Sequence, residues 1–274
     1  MRPNPFKKYL GFVKGSFLAV LAFRVEILAW VLQGVLSVVI LVFLWFAIYQ
    51  QNGGASINSF TYPEMISYLI MASLTNQWVS NGDTFSGVSR DITRGDIATS
   101  LTRPLSYRGR YFAASFGSLI ANFVLFFLPL YIICQFVFVY SLGLAWPLWY
   151  NVLFYLLAGL LGMTITDSFD FIIAQLGFKT NSLFGIFLMK LAVFSFLSGA
   201  AIPFSFFPSW AQAWLPYLPF SGLSSTPINL FLGRYSLLES FRWLSVSAGW
   251  ALVLYMLSLL TNSLMIKHVE SVGG

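Results

Sequence analysis

Ile27–Tyr49 reads ILAWVLQGVLSVVILVFLWFAIY, an apolar run in which Gln33 and Ser37 are the notable polar interruptions. At 1.5 Å of rise per residue, a helix over these positions is about 34 Å long. That suits the hydrocarbon core of a bilayer, about 30 Å thick, which about 20 apolar residues cross. The rest of the chain has the same character. Of its 274 residues 58% are hydrophobic and 9% charged, and the mean hydropathy is +0.79. Soluble domains carry about 25% charged residues, so this chain has too little charge to cover a water-facing surface.

Five further runs are read as spans: Pro63–Val79, Tyr111–Tyr140, Leu148–Ile173, Leu183–Ile202 and Phe241–Ile266. The expected fold is an all-α integral membrane protein with six transmembrane helices. Glu64, Ser67, Thr75, Asn76 and Gln77 dilute the second run, which suits packing against protein or lining a path better than facing lipid on every side. The third is long enough to tilt, and the missing N–H of Pro129 is expected to kink it.

The net charge of +6 is spread between the apolar runs, so it concerns topology and not nucleic acid. With both termini in the cytoplasm, Arg2, Lys7, Lys8, Lys14, Arg24, Arg90, Arg94, Arg103, Arg108, Arg110, Lys179 and Lys267 fall inside, and only Arg234 and Arg242 outside. Basic residues near span ends resist translocation, and interfacial Trp and Tyr collect there, as Trp45, Tyr49, Tyr140, Trp146, Trp149 and Tyr150 do. The single cysteine, Cys134, lies in an apolar run and makes neither an internal disulfide nor a Cys-based metal site. The first 25 residues are basic and mixed, without the short apolar core and cleavage site of a signal peptide.

Three segments outside the plain spans carry functional information. Residues 1–25 place Phe6, Leu10, Val13, Phe17 and Leu21 near one helical face, with Lys7, Lys8 and Lys14 elsewhere. This reads as an amphipathic interfacial helix on the cytoplasmic surface. Residues 82–110 form a cytoplasmic loop in which Arg90, Asp91, Arg94 and Asp96 make a charged face, while Ile92, Ile97 and Leu101 offer apolar docking points. Pro104 ends any helix there. Residues 203–240 are apolar yet external, cut by Pro203, Pro208, Pro216, Pro219 and Pro227, with Trp210, Trp214 and Tyr217 between them. Broken backbone at membrane depth is tolerated only when buried in protein or lining a cavity. The expectation is a Pro-broken re-entrant segment between the fifth and sixth helices.

Asp167, Asp170 and Lys190 lie inside the fourth and fifth runs. Intramembrane charges seek partners, and short-linked antiparallel neighbours allow Lys190 to pair with Asp167 or Asp170 as a clasp. The chain offers little to an enzyme. Its only histidine, His268, is near the C-terminus, and the two aspartates share one helix at i,i+3. Neither arrangement makes a Ser–His pair, a multi-histidine metal site or a two-helix carboxylate dyad, so no catalytic or metal-binding residue is assigned. From the residues alone, an ion-coupled transporter or channel using Asp167, Asp170 and Lys190 stands level with an ATP-driven permease. The chain has no Gly-x-x-x-x-Gly-Lys-Ser/Thr phosphate loop; Gly177-Phe178-Lys179-Thr180 lacks the glycine before the lysine.

In order along the chain stand Phe23-Arg24, Leu44-Trp45-Phe46-Ala47-Ile48-Tyr49, Gly95-Asp96-Ile97-Ala98 and Leu101-Thr102-Arg103-Pro104-Leu105. Then come Ser198-Gly199, Ile202-Pro203, Phe207-Pro208, Leu218-Pro219-Phe220, Pro227 and Leu232-Gly233. In these motifs the chain resembles the ABC-2 type permeases, the transmembrane subunits of prokaryotic ABC exporters. The fourth span departs from that pattern, with Asp167 and Asp170 where neutral or aromatic residues are expected.

The resemblance implies a multi-pass protein of the prokaryotic plasma (inner) membrane, pairing with a second permease copy or a diverged sister. Each permease docks a cytoplasmic ABC ATPase that binds the ATP and Mg, this chain holding no cofactor. Residues Ser89–Leu101 would form the coupling helix, so Arg90, Asp91, Arg94, Gly95, Asp96, Leu101, Arg103 and Pro104 are the candidate coupling residues. Pro203, Pro208, Trp210, Trp214 and Pro219 would belong to an external lid.

Overall fold

The computed structural model describes residues 5–22, 24–80, 83–97, 99, 105–140, 143, 146–178, 180 and 183–268. Helix makes up 83% of it, with no strand among the described residues. The helices are α1 (Pro5–Ala22), α2 (Arg24–Gln51), α3 (Tyr62–Val79), α4 (Thr84–Thr93), α5 (Tyr107–Tyr140), α6 (Trp149–Ala174), α7 (Phe184–Leu197), α8 (Ser225–Phe231) and α9 (Leu237–His268).

Among the described residues, four stretches are long and apolar enough to cross a membrane: Val31–Gln51 of α2, all of α5, Trp149–Phe178 and Leu237–Ile266 of α9. The other two expected spans are of a different kind. The 14 residues of α7 rise about 21 Å. The chain turns out of α7 before Ile202, at Gly199, whose φ of +78° a residue with a Cβ adopts only at a cost. Although α3 keeps its expected place, it lies at the centre of the molecule, with eleven of its residues buried from Met65 to Val79.

Burial of α3 requires its polar groups to find partners. Ser67 donates to the Pro63 carbonyl at 2.9 Å, and Thr75 to the Met71 carbonyl at 2.6 Å. The Thr75 and Tyr155 hydroxyls are 2.9 Å apart. Beside them Trp78 packs against Phe123, Phe127 and Tyr155, with ring centroids 5.2, 5.2 and 5.5 Å away. The indole lies over Gly159 of α6, where any Cβ would overlap it. Ser73, Asn76 and Gln77 share the less buried side of α3.

In α5, Phe123–Phe127 is a π-helical turn just before Pro129, and the Leu128 N–H bonds the Phe123 carbonyl. Pro129 has no N–H for the carbonyl one turn back, and the helix widens where that bond is missing. This is the form taken by the disruption expected at Pro129.

Two segments differ from expectation. The helix α1 packs along the first half of α5, so closely that a Cβ on Gly117 would meet the Val13 backbone. Tyr9, Phe12, Val13, Ser16 and Phe17 are half-buried, while Leu10 and Leu18 are 64% and 50% exposed. The buried face is therefore set by the glycines of α5 and excludes Leu10. In the 82–110 stretch the helix expected over Ser89–Leu101 lies earlier: α4 ends at Thr93, the chain turns at Gly95, and α5 begins at Tyr107.

Between α7 and α8 the chain makes short turns, Phe204–Phe206, Ser209–Gln212, Leu215–Tyr217 and Pro219–Leu223. Pro203 and Pro208 directly precede the first two, and Pro219 begins the last. Phe204, Ala211 and Leu215 form a small core, while Trp210 and Trp214 are exposed. Tyr68 of α3 donates to the Gly199 carbonyl at 2.8 Å, and the Ser225 N–H to the Ser198 carbonyl at 2.9 Å, tying both ends of the segment down. The last turn reaches well along α6: the Gly222 carbonyl faces Gly162, and Phe220 stacks on Phe169 at 5.4 Å.

Candidate functional site

The amphipathic pattern of α4 seats it on α6. Phe85 and Val88 are buried and Ile92 half-buried, packing with Phe171, Ala174 and Met265. Gly87 lies under the Tyr111 ring, with no room for a Cβ. At the N-terminal end of α4 the Thr84 hydroxyl donates to Asp167 Oδ1 at 2.6 Å. Towards the other end Asp91 Oδ2 accepts from the Tyr107 and Tyr111 hydroxyls at 3.0 and 2.9 Å and from Arg110 Nη2 at 2.8 Å. The expected coupling residues thus divide by environment. Asp91 is fastened to the base of α5, and Arg90 pairs with Asp83 at 2.7 Å on an open surface, where such a pair contributes little. Arg94, Gly95 and Asp96 form an exposed tip, turned by the φ of +76° at Gly95. Leu101, Arg103 and Pro104 lie outside the described residues.

Beneath α4 are two buried ion pairs. Lys190 Nζ donates to Asp170 Oδ1 at 2.6 Å, and its ammonium lies 5.4–5.6 Å from the rings of Phe85, Phe187 and Phe194. Asp167 does not meet Lys190 within ion-pair distance. Its Oδ2 is 2.6 Å from Arg108 Nη1, while Oδ1 also accepts from Ser115 at 2.7 Å. Arg108 is fully buried, donating from Nε to Ser258 at 2.7 Å and from Nη2 to Ser168 at 3.2 Å. Its guanidinium lies over Phe171 at 4.9 Å, with Tyr255 and Phe112 at 5.2 and 5.5 Å. Two acids and two bases pair off in this joint, so each buried charge faces an opposite one and none is left uncompensated.

Arg108 is the charged residue of the joint that sequence reasoning missed: it reads as a loop charge, and the structure buries it in α5 against Asp167. The signal available was weak: Arg108, Phe112 and Ser115 fall at i, i+4 and i+7, one face of a helix that begins earlier than hydropathy suggests. The joint also touches the segment between α7 and α8, since Phe194 lies 5.5 Å from Phe220. Pro203, Pro208, Trp210 and Trp214 have no ion pair or hydrogen bond to the joint among the described contacts.

A family profile described as ABC-2 family transporter protein matches residues 35–273. The chain belongs to the ABC-2 transporter family. No curated protein matches it by sequence. This ABC-2 permease is an integral membrane component of a transport system, a kind of subunit that is generally non-catalytic and works in a bilayer with an ATPase partner. In the permease the buried joint lies directly under α4, which meets it through the Thr84 hydroxyl on Asp167.

Proposed function

We propose that the protein is the permease subunit of an ATP-driven exporter in a prokaryotic plasma (inner) membrane, with both termini cytoplasmic. Two permeases pair to form the pathway, and a separate cytoplasmic ATPase on each binds ATP and Mg. Six helices cross in this reading, α3 and α7 inside the assembly and not against lipid on all sides. The polar side of α3, with Ser73, Asn76 and Gln77, suits a path-lining position.

The observation that carries the mechanism is the fastening of α4 at two points, Thr84 to Asp167 and Asp91 to Tyr107, Tyr111 and Arg110. Here α4 is the coupling helix and Arg94-Gly95-Asp96 the part offered to the ATPase. Closure of the ATPases displaces α4, and the ties make α5 and α6 follow. Lys190 and the Phe194–Phe220–Phe169 stack carry the shift to the external segment, which caps the pathway as a re-entrant lid. An ion-coupled mechanism would use the same carboxylates, but each already has a cation at 2.6 Å, which supports a clasp.

The test is ATP-driven transport by the reconstituted complex. Gly95→Pro, or charge reversal at both Arg94 and Asp96, is expected to abolish transport while the chain still inserts. Transport that persists with the ATPase bound rejects the coupling assignment, and failure to recover any nucleotide-binding subunit with the native permease rejects the reading as a whole.

A further inference from the structure

Where α5 ends and α6 begins, the bundle holds a cup of about 380 Å³ with both signs of charge on its walls. Gly233, at φ +66°, turns the chain after α8 beside Asn151, where a Cβ would come within 2.9 Å of the amide nitrogen. The turn delivers Arg234. Its guanidinium lies 3.6 Å over the Phe60 ring, and Nη2 donates to the Ser59 carbonyl at 2.7 Å. Nη1 is buried without a hydrogen-bond partner, and Arg234 pairs with no carboxylate among the described residues.

Across the cup, Glu64 uses Oε2 to accept from the Thr61 N–H and hydroxyl, both at 2.8 Å, as the cap of α3. Gln135 is 2% exposed, yet its Oε1 has no partner. Trp146 and Tyr150 supply aromatic wall. Tyr235 adds a neutral phenol, since burial, ahead of the Glu239 charge, pushes it up to about 12.

An anion alone would satisfy Arg234 but face the Glu64 carboxylate, and a cation alone would do the reverse. A ligand carrying both charges meets both walls. We propose that this cup binds a small zwitterion: a phosphate received by Arg234 and a primary ammonium received by Glu64 against the aromatic wall. Arg matches phosphate through its fork of donors, and an ammonium gains from an aromatic face. The volume is near the lower end of small-molecule sites, about 300–1,000 Å³, enough for a headgroup and too small for acyl chains. The same chemistry occurs in the headgroup of phosphatidylethanolamine and in soluble phosphoethanolamine. The inference is independent of transport and of which way the chain faces.

Native mass spectrometry of the purified full chain, equilibrated with equal amounts of phosphatidylethanolamine and phosphatidylglycerol, tests it. The wild-type chain is expected to retain phosphatidylethanolamine at least about fivefold over phosphatidylglycerol. Arg234→Gln should lower retention about tenfold, the scale of one lost charge-assisted bond. Glu64→Gln keeps a capping side chain on α3 and should bring the preference close to unity. Phosphoethanolamine that displaces the lipid identifies a soluble ligand, and lipid that resists it identifies the bilayer as the source. Equal retention of the two lipids by the wild-type chain overturns the proposal, as does a preference unchanged in Glu64→Gln, which decides the matter even if Arg234→Gln fails to fold.

Discussion

Asp170 and Lys190 face each other at 2.6 Å inside the bundle, each with little exposure. Removing one partner strands the other in a medium that cannot solvate it, at a cost of about 3–5 kcal/mol. Lys190→Met is therefore expected to lower folded yield and thermal stability in nanodiscs, and adding Asp170→Asn should recover much of the loss. A double variant no better than Lys190→Met would show that the pair is not a clasp. Arg108 and Asp167 should behave alike, with one difference. Arg108 also donates to Ser258 and Ser168, so Arg108→Met with Asp167→Asn loses these two bonds as well and should recover somewhat less, although both hydroxyls keep their bonds to the Tyr255 and Thr164 carbonyls. Gly159→Ala belongs to the same scale. The added methyl overlaps the Trp78 indole, and overpacking of this kind costs about 1–3 kcal/mol, readable as a fall in unfolding temperature with a change in Trp fluorescence.

At the scale of elements, contacts between helices depend on small residues that hydropathy does not reveal. Gly117 lets α1 lie against α5 with backbone in contact, a close approach typical of small residues at helix interfaces in membranes. Gly117→Leu should drive α1 away, and hydrogen exchange over residues 7–22 should rise while α9 keeps its protection. Unchanged exchange in α1 would mean that the α1–α5 contact does not hold this helix. The ties of α4 were equally hidden. Arg90, Asp91, Arg94 and Asp96 look equivalent as a charged face, yet Asp91 turns inward to two tyrosines and an arginine of α5. Periodicity identifies which side of a helix is apolar, but it cannot say which polar side chains a neighbouring helix will claim. The start of α5 at Tyr107 is not legible in hydropathy, which rises only beyond Arg110, whereas Ser106 caps the helix, its hydroxyl accepting from the Gly109 N–H at 3.3 Å.

For the molecule as a whole, the proposed lid rests on how the segment between α7 and α8 is held. Its ends are tied to α3 and α7, and its last turn lies against Gly162 and Phe169 of α6. Trp250 donates to the Tyr217 carbonyl at 2.8 Å, which adds a tie to α9. Hydrogen exchange in nanodiscs should therefore show protection over residues 208–220. Rapid exchange throughout would leave an ordinary surface loop and remove the lid from the mechanism.

Composition and period alone determined that the chain is helical and lives in a bilayer, because 9% charge cannot solvate a surface and runs of about 20 apolar residues match a hydrocarbon core. They also placed charge at Asp167, Asp170 and Lys190, because every intramembrane charge stands out against an apolar run. Only tertiary structure decided the rest: that α3 is the centre, that Asp170 takes Lys190, and that Asp167 takes Arg108 from a stretch that reads as loop. The reason lies in range. Hydropathy and helical period are sums over neighbours in sequence, whereas the partner of a buried charge is chosen among residues brought within 3 Å by folding, 59 positions away for Arg108 and Asp167.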